Sequence, residues 1–117
     1  MADLIACLST GKGTWAEVTK LISLEQWDHV YLITNSFGKE NFKHDKAELI
    51  VINDNAPVKV ISETIYKALQ GRVAFNDVAV NFVSGTGKEH MALISALLKL
   101  GVGIRFVANE ENSIVEL

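Results

Sequence analysis

The chain has 117 residues, of which 49% are hydrophobic and 21% charged, and this predicts one globular domain, residues 1–117, rather than a disordered chain. The formal net charge of −3 argues against direct DNA binding, because no overall positive charge attracts nucleic acid. The one cysteine, Cys7, excludes an internal disulfide and fits a cytoplasmic location, while the apolar runs and the first residues match neither a membrane span nor a signal peptide.

Apolar runs alternate with segments of helical spacing along the chain. The runs predict five buried strands, at residues 4–9, 30–34, 48–52, 78–83 and 103–108. Three segments predict helices, at residues 14–22, 56–69 and 87–100, and Asn55 is the expected N-cap of the second. Residues 36–45 fit either a short helix or a loop, and residues 113–117 predict a final antiparallel edge strand.

Continuous apolar strands that alternate with helices are typical of a parallel sheet covered on both faces. The sequence therefore predicts an α/β fold, a Rossmann-like three-layer sandwich with a mostly parallel sheet in the order 3-2-1-4-5. In that order the first and fourth strands are neighbours, and ligands bind beyond their carboxyl ends. The loops that follow these two strands are rich in glycine and hydroxyl residues, and each contains a lysine.

These two loops have the composition of a phosphate site. Glycines let backbone amides approach a ligand, hydroxyls and lysines donate hydrogen bonds, and a helix N-terminus adds partial positive charge. An ordinary strand-to-helix turn also uses a glycine and a capping hydroxyl, which is the alternative for either loop alone. The candidate ligand-binding residues come from these two loops, with Asn35 added from the end of the second strand and His90 from the third helix. They are Ser9, Thr10, Gly11, Lys12, Gly13, Asn35, Ser84, Gly85, Thr86, Gly87, Lys88 and His90.

The established phosphate motifs fit these loops poorly. A Walker A loop is excluded because Phe82 occupies the position of its first glycine and Glu89 follows the lysine. Residues 11–16, GKGTWA, match the dinucleotide fingerprint, but residues 34–36 provide no acid for a ribose, so NAD is not expected. The histidines and the cysteine are too scattered for a zinc site. The sequence therefore predicts no metal and no cofactor.

Residues 80–101, VNFVSGTGKEHMALISALLKLG, resemble the signature of CARF domains, the CRISPR-associated Rossmann-fold sensors. That signature is Asn/Asp-x-Thr-Gly/Ser-Gly-Thr-Lys-x-Met followed by an apolar helix. The sequence departs from it at Val83, which replaces the threonine, and at Gly87, which precedes the lysine. The residues that match it are Asn81, Ser84, Gly85, Thr86, Lys88 and Met91.

The resemblance implies a homodimer that binds a cyclic oligoadenylate, the second messenger of type III CRISPR defence, across its two-fold axis. Some members of the family also cleave the ring without metal, so both binding alone and ring-nuclease activity are open. For cleavage, Lys88 is the candidate for stabilising phosphate charge, and Ser9 and Ser84 are candidates for orienting the ribose. His90 is either a general acid or base or a surface residue of the first helical turn.

Two further features leave alternatives open. The third predicted helix is apolar on all sides from Met91 to Leu98 except at Ser95, which favours contact with a second copy, whereas a thick core is the alternative. Trp15 is either a core residue or a platform for stacking adenine. The alternative to a CARF domain is a generic Rossmann-like module that binds a mononucleotide or phosphorylated metabolite, and a third hypothesis is an interaction subunit without a small ligand.

Overall fold

The computed structural model of the chain describes residues 2–8, 12–73 and 77–117, and for Lys12 the backbone alone. Its strands are β1 (Asp3–Cys7), β2 (Val30–Thr34), β3 (Ala47–Val51), β4 (Asp77–Asn81), β5 (Gly103–Glu110) and β6 (Ser113–Glu116). They form one sheet in the order β3-β2-β1-β4-β5-β6. The pairs from β3 to β5 are parallel, and β6 is antiparallel to β5. The predicted class, strand order and C-terminal edge strand are confirmed.

The helices lie on both faces of this sheet. They are α1 (Trp15–Leu24), α2 (Ser36–Asn41), α3 (Val58–Leu69) and α4 (Gly87–Leu100), and a 3-10 turn (Lys12–Thr14) leads into α1. Alternate side chains of β1 show the two layers: Leu4 and Ala6 pack in the cluster that contains α1, whereas Ile5 and Cys7 pack with α3 and α4. Because both faces are buried, the strand is apolar at nearly every position.

Residues 36–45, for which the sequence left two alternatives, begin with a short helix. Asn35 caps α2, because its Oδ1 accepts a hydrogen bond from the Gly38 backbone N–H at 3.0 Å. Gly38 lies against the Thr34 side chain, where a Cβ atom has no space. The helix ends when Phe42 takes an extended conformation and enters the core.

The predicted cap of the next helix is wrong. Helix α3 begins at Val58, its N-cap position is held by Pro57, and no side chain caps it. The reason is steric, since a proline disfavours helical dihedrals in the residue before it, so Ala56 cannot join the helix that was predicted to start there. Asn55 is therefore left in the loop between β3 and α3, which matters for the site described below.

Helix α4 has more apolar surface than the sheet covers. Its Leu93 and Leu97 are fully buried beside Ile61 and Ile65 of α3. On another side of the helix, Met91 is 60% exposed and Leu98 66% exposed. In the described part of the chain, no helix combines the length and the apolar character that crossing a bilayer requires.

Candidate functional site

The loops after β1 and β4 leave the sheet at the same edge. The two strands are parallel neighbours, and their last paired residues are Ala6 and Asn81. The chain continues from β1 to β2 on one side and from β4 to β5 on the other, so the strand order reverses between β1 and β4. Crevices at such switch points are where doubly wound sheets bind ligands.

Only part of the first predicted loop belongs to the described residues. Ser9, Thr10 and Gly11 lie outside them, whereas the backbone of Lys12 and an exposed Gly13 form the turn that leads into α1. Trp15 follows that turn and is buried, with ring contacts to Phe37 at 5.9 Å and to Phe42 at 5.6 Å between centroids. Trp15 therefore has the core role that the sequence left as one of two alternatives.

The second loop packs directly on the end of β1. Gly85 has φ +99°, and a Cβ atom at this position would be 2.8 Å from the Cys7 Cβ and 3.0 Å from the Glu89 Oε1. A glycine is needed here for both reasons, the positive φ and the close approach. The predicted position of the 84–88 segment, beside the carboxyl end of the first strand, is confirmed.

Thr86 and Glu89 form a capping box at the start of α4. The Thr86 Oγ1 accepts from the Glu89 backbone N–H at 3.2 Å, and the Glu89 Oε1 accepts from the Thr86 backbone N–H at 2.9 Å. Glu89 is only 8% exposed, and its charge adds to burial in raising the pKa of the Cys7 thiol far above its usual range. The box uses two backbone N–H groups that could have bound an anion, and it places a carboxylate beneath the loop. The first-turn N–H groups of Gly87 and Lys88 are left for an anion.

His90 and Ser84 hold the loop in shape. The His90 Nε2 lies 2.8 Å from the Ser84 carbonyl oxygen, which can only accept, so this nitrogen carries the proton. The His90 ring stacks on Phe82 with centroids 4.2 Å apart. Ser84 is only 2% exposed. In this conformation neither the Ser84 side chain nor the His90 Nε2 is available to a ligand that binds at the surface.

Asn81, which belongs to the CARF-like motif, also has an internal role. Its Nδ2 donates to the Val107 carbonyl at 2.8 Å, and its Oδ1 accepts from the Val83 backbone N–H at 2.9 Å. The side chain is buried and joins the ends of β4 and β5. Asn81 therefore determines where the loop starts.

Lys88 is a predicted residue whose side chain the structure leaves available to a ligand. It is exposed, and its Nζ donates to the backbone oxygen of Asp54, in the loop between β3 and α3, at 3.2 Å. Within the described residues its ammonium group has no carboxylate partner. The Asp54 side chain in turn accepts, through Oδ2, from the Asn35 Nδ2 at 2.9 Å. Two predicted residues that are far apart in the sequence, Asn35 and Lys88, thus meet at Asp54.

A cleft of about 420 Å³ opens beside this contact. It lies between the loops that follow β2 and β3, and residues 35–37 and 51–55 line it. Its walls include the Phe37 and Val51 side chains, which are each 38% exposed, and the side chains of asparagine and aspartate residues. This mixture of apolar and polar lining suits a flat ligand with hydrogen-bonding edges.

Two roles were not predicted from the sequence, that of Glu89 as a cap and that of Asp54 as a contact. The Glu89 role had a local signal, since Thr86-Gly87-Lys88-Glu89 is the S/T-x-x-E pattern of a capping box. Asp54 had none, because its contacts with Asn35 and Lys88 join residues that are 19 and 34 positions away.

Among the residues that the structure describes, no three histidine, cysteine, aspartate or glutamate side chains converge in the manner of a metal site. Comparison with known proteins does not assign a family, because no family model matches the chain and no curated protein matches it at a significant level.

Proposed function

We propose that this chain binds a nucleotide at the carboxyl edge of its sheet, and that Lys88 binds a phosphate group of the nucleotide. The observation that carries the proposal is the state of the Lys88 ammonium group, which is exposed and hydrogen-bonded to a carbonyl but unpaired with any carboxylate of the described residues. A phosphate at this position can replace the carbonyl as acceptor. It also lies near the remaining first-turn amides of α4.

The natural ligand that we propose is a cyclic oligoadenylate, on the basis of the CARF-like motif around Lys88. Such a ring has rotational symmetry, which a two-fold homodimer can match. The exposed Met91 and Leu98 support a dimer through α4, since residues seven apart lie on the same side of a helix and these two are apolar. Defence against viruses in the cytoplasm is the corresponding role.

Binding is supported better than cleavage. Ring opening requires the ribose 2′-hydroxyl to give up its proton as its oxygen attacks the adjacent phosphorus. The bond from phosphorus to the 5′-oxygen of the next nucleotide breaks, and that oxygen takes up a proton, leaving a 2′,3′-cyclic phosphate and a 5′-hydroxyl. Of the groups predicted to assist, Lys88 is exposed, Ser84 is buried, and Ser9 is outside the described residues. The His90 Nε2 already donates to the Ser84 carbonyl, so Nδ1 is the ring nitrogen left with a lone pair to act as a base. Ring-nuclease activity therefore forms the secondary part of the proposal.

A second candidate function is binding of a mononucleotide or phosphorylated metabolite. One observation favours it: Lys88 and the 420 Å³ cleft both belong to a single chain. A ligand with one base and one phosphate would need no second copy. The two candidates differ in the ligand that they select and in the oligomeric state of the bound protein.

Thermal unfolding with a ligand series tests both candidates. The series contains cyclic tetra-adenylate, cyclic hexa-adenylate, the linear tetramer and AMP. At about 100 times its Kd, a ligand stabilises the fold by about 2.7 kcal/mol. At roughly 2.1 cal/mol/K of unfolding entropy per residue, that is a rise of about 11 °C in Tm for this domain. Chromatography of the products after incubation with each cyclic ligand reports cleavage.

Lys88→Ala is the decisive variant, and Lys99→Ala, at the other end of α4, is its matched control. Because one charge-assisted hydrogen bond is worth about 1.5–3 kcal/mol, Lys88→Ala should weaken binding by about tenfold to a hundredfold. Lys99→Ala should bind as the wild type does. The proposal fails if no nucleotide shifts the wild-type Tm, or if both variants bind equally well.

A further inference from the structure

The cleft lined by residues 35–37 and 51–55 has no role in the phosphate contact itself. It lies next to Lys88, because Asp54 lines the cleft and its backbone oxygen binds the Lys88 Nζ at 3.2 Å. A phosphate held by Lys88 would therefore have the cleft beside it. The lining residues then indicate which chemical group, attached to that phosphate, the cleft can bind.

The apolar part of the cleft suits a planar ring. Phe37 and Val51 are each 38% exposed, and these two large apolar side chains line the same space. The Phe37 ring packs against Trp15, with centroids 5.9 Å apart and planes at 52°. Stacking on an aromatic ring of this kind is a general way in which proteins bind bases.

The polar part of the cleft offers hydrogen bonds to the edge of that ring. The Asn55 side chain has no hydrogen-bond partner in the described part of the chain, although the Asn55 backbone N–H donates to Asn53 Oδ1 at 3.1 Å. An asparagine amide can donate to N7 and accept from the N6 amino group of adenine at the same time. Asp54 keeps one carboxylate oxygen that Asn35 does not use, and that oxygen only accepts. Both groups favour a base with an exocyclic amino group.

We propose that this cleft binds the purine base of the nucleotide, that Phe37 stacks on it, and that Asn55 selects adenine. The inference rests on the proposed function, since it assumes that a nucleotide phosphate binds Lys88. It adds a specificity determinant that the phosphate contacts do not contain. Asn35, predicted to bind ligand, lines the cleft, and it also caps α2 and donates a hydrogen bond to Asp54.

Calorimetric titration with AMP, inosine monophosphate and ribose 5-phosphate tests this inference. Inosine replaces the amino group by a carbonyl, and ribose 5-phosphate has no base. Because a bidentate base contact or a stacked base is worth about 1–3 kcal/mol, the wild type should bind AMP about tenfold more tightly than either of the others. Asn55→Ala should reduce the preference for AMP over inosine monophosphate.

Variants separate this inference from the proposed function. Phe37→Ala should weaken AMP binding about tenfold and leave ribose 5-phosphate unchanged, whereas Lys88→Ala should weaken both. Phe37→Leu, which retains apolar bulk beside Trp15, should behave as Phe37→Ala does if stacking is the cause. If Lys88→Ala weakens AMP binding while the Phe37 and Asn55 variants bind AMP normally, the base site is wrong and the phosphate site stands. If the wild type binds none of the probes, including cyclic tetra-adenylate, both are wrong.

Discussion

Replacing Gly85 by alanine tests the geometry on which the candidate site depends. At φ +99° a residue with a Cβ is strained by about 1–2 kcal/mol, as for other left-handed positions. The new methyl group would also lie 2.8 Å from the Cys7 Cβ, in a fully buried region, and overpacking of this kind costs about 1–3 kcal/mol. Together the two effects predict a loss of roughly 2–5 kcal/mol of unfolding free energy.

This loss is large enough to measure as a change in Tm. With an unfolding entropy of about 2.1 cal/mol/K per residue, each kcal/mol corresponds to about 4 °C for this domain, so Gly85→Ala should lower Tm by about 8–20 °C. Differential scanning calorimetry of the unliganded protein gives the value directly. Circular dichroism at low temperature checks that the variant still folds.

Gly87→Ala is the matched control, two residues further along the chain. Gly87 is the first residue of α4, and a Cβ there would have no neighbour within 4 Å. Alanine at such a position raises stability by about 0.4–1 kcal/mol through the unfolded state, so Tm should stay constant or rise slightly. Equal Tm values for the two variants would show that the loop does not rest on the end of β1.

The remaining predictions concern the cap and the sheet. Thr86→Ala should lose about 0.5–2 kcal/mol of unfolding free energy, because it removes the side chain that caps α4, and Thr86→Ser should recover most of that loss. Urea denaturation measures both variants, and equal losses would rule out the hydroxyl as the cause. Burial, with a smaller effect of Asp3, raises the pKa of Tyr31, so the stability that its neutral form provides is complete below about pH 10 and is lost as pH rises through its folded-state pKa. Urea denaturation at pH 8 and above pH 10 should show this alkaline loss, and Tyr31→Phe should reduce it; an unchanged loss would contradict the assignment.

The fold could be predicted from the sequence because the central strands β1, β2 and β4 are buried on both faces. In β1, Ile5 and Cys7 face one helical layer while Leu4 and Ala6 face the other, so the strand is apolar at every position after Asp3. Strand order followed from the alternation of strands and helices. The errors were local, as at Asn55, where the restriction that Pro57 places on the preceding residue outweighed a favourable capping side chain.

The site was only partly accessible, because the same residue types serve structure and binding. Gly85, predicted to bind a ligand, packs against Cys7, and Thr86, also predicted to bind a ligand, caps α4; both structural roles come in addition to the predicted ones. Composition cannot distinguish these roles. The contact between Lys88 and the loop after β3 depends on how α4 packs beside α3, which the residues around Lys88 do not encode.

Once these structural roles are assigned, the charge near Lys88 favours one kind of phosphate. The capping box places the buried Glu89 carboxylate under the loop, and the Asp54 carboxylate lies beside the cleft. With the carboxylates of Glu89 and Asp54 in the residues around Lys88, a phosphodiester, which has a single charge, is repelled less than a terminal phosphate that carries nearly two charges near pH 7. The phosphates of a cyclic oligoadenylate are all diesters, so the features that weaken the loop as a general anion site are compatible with the ligand that we propose.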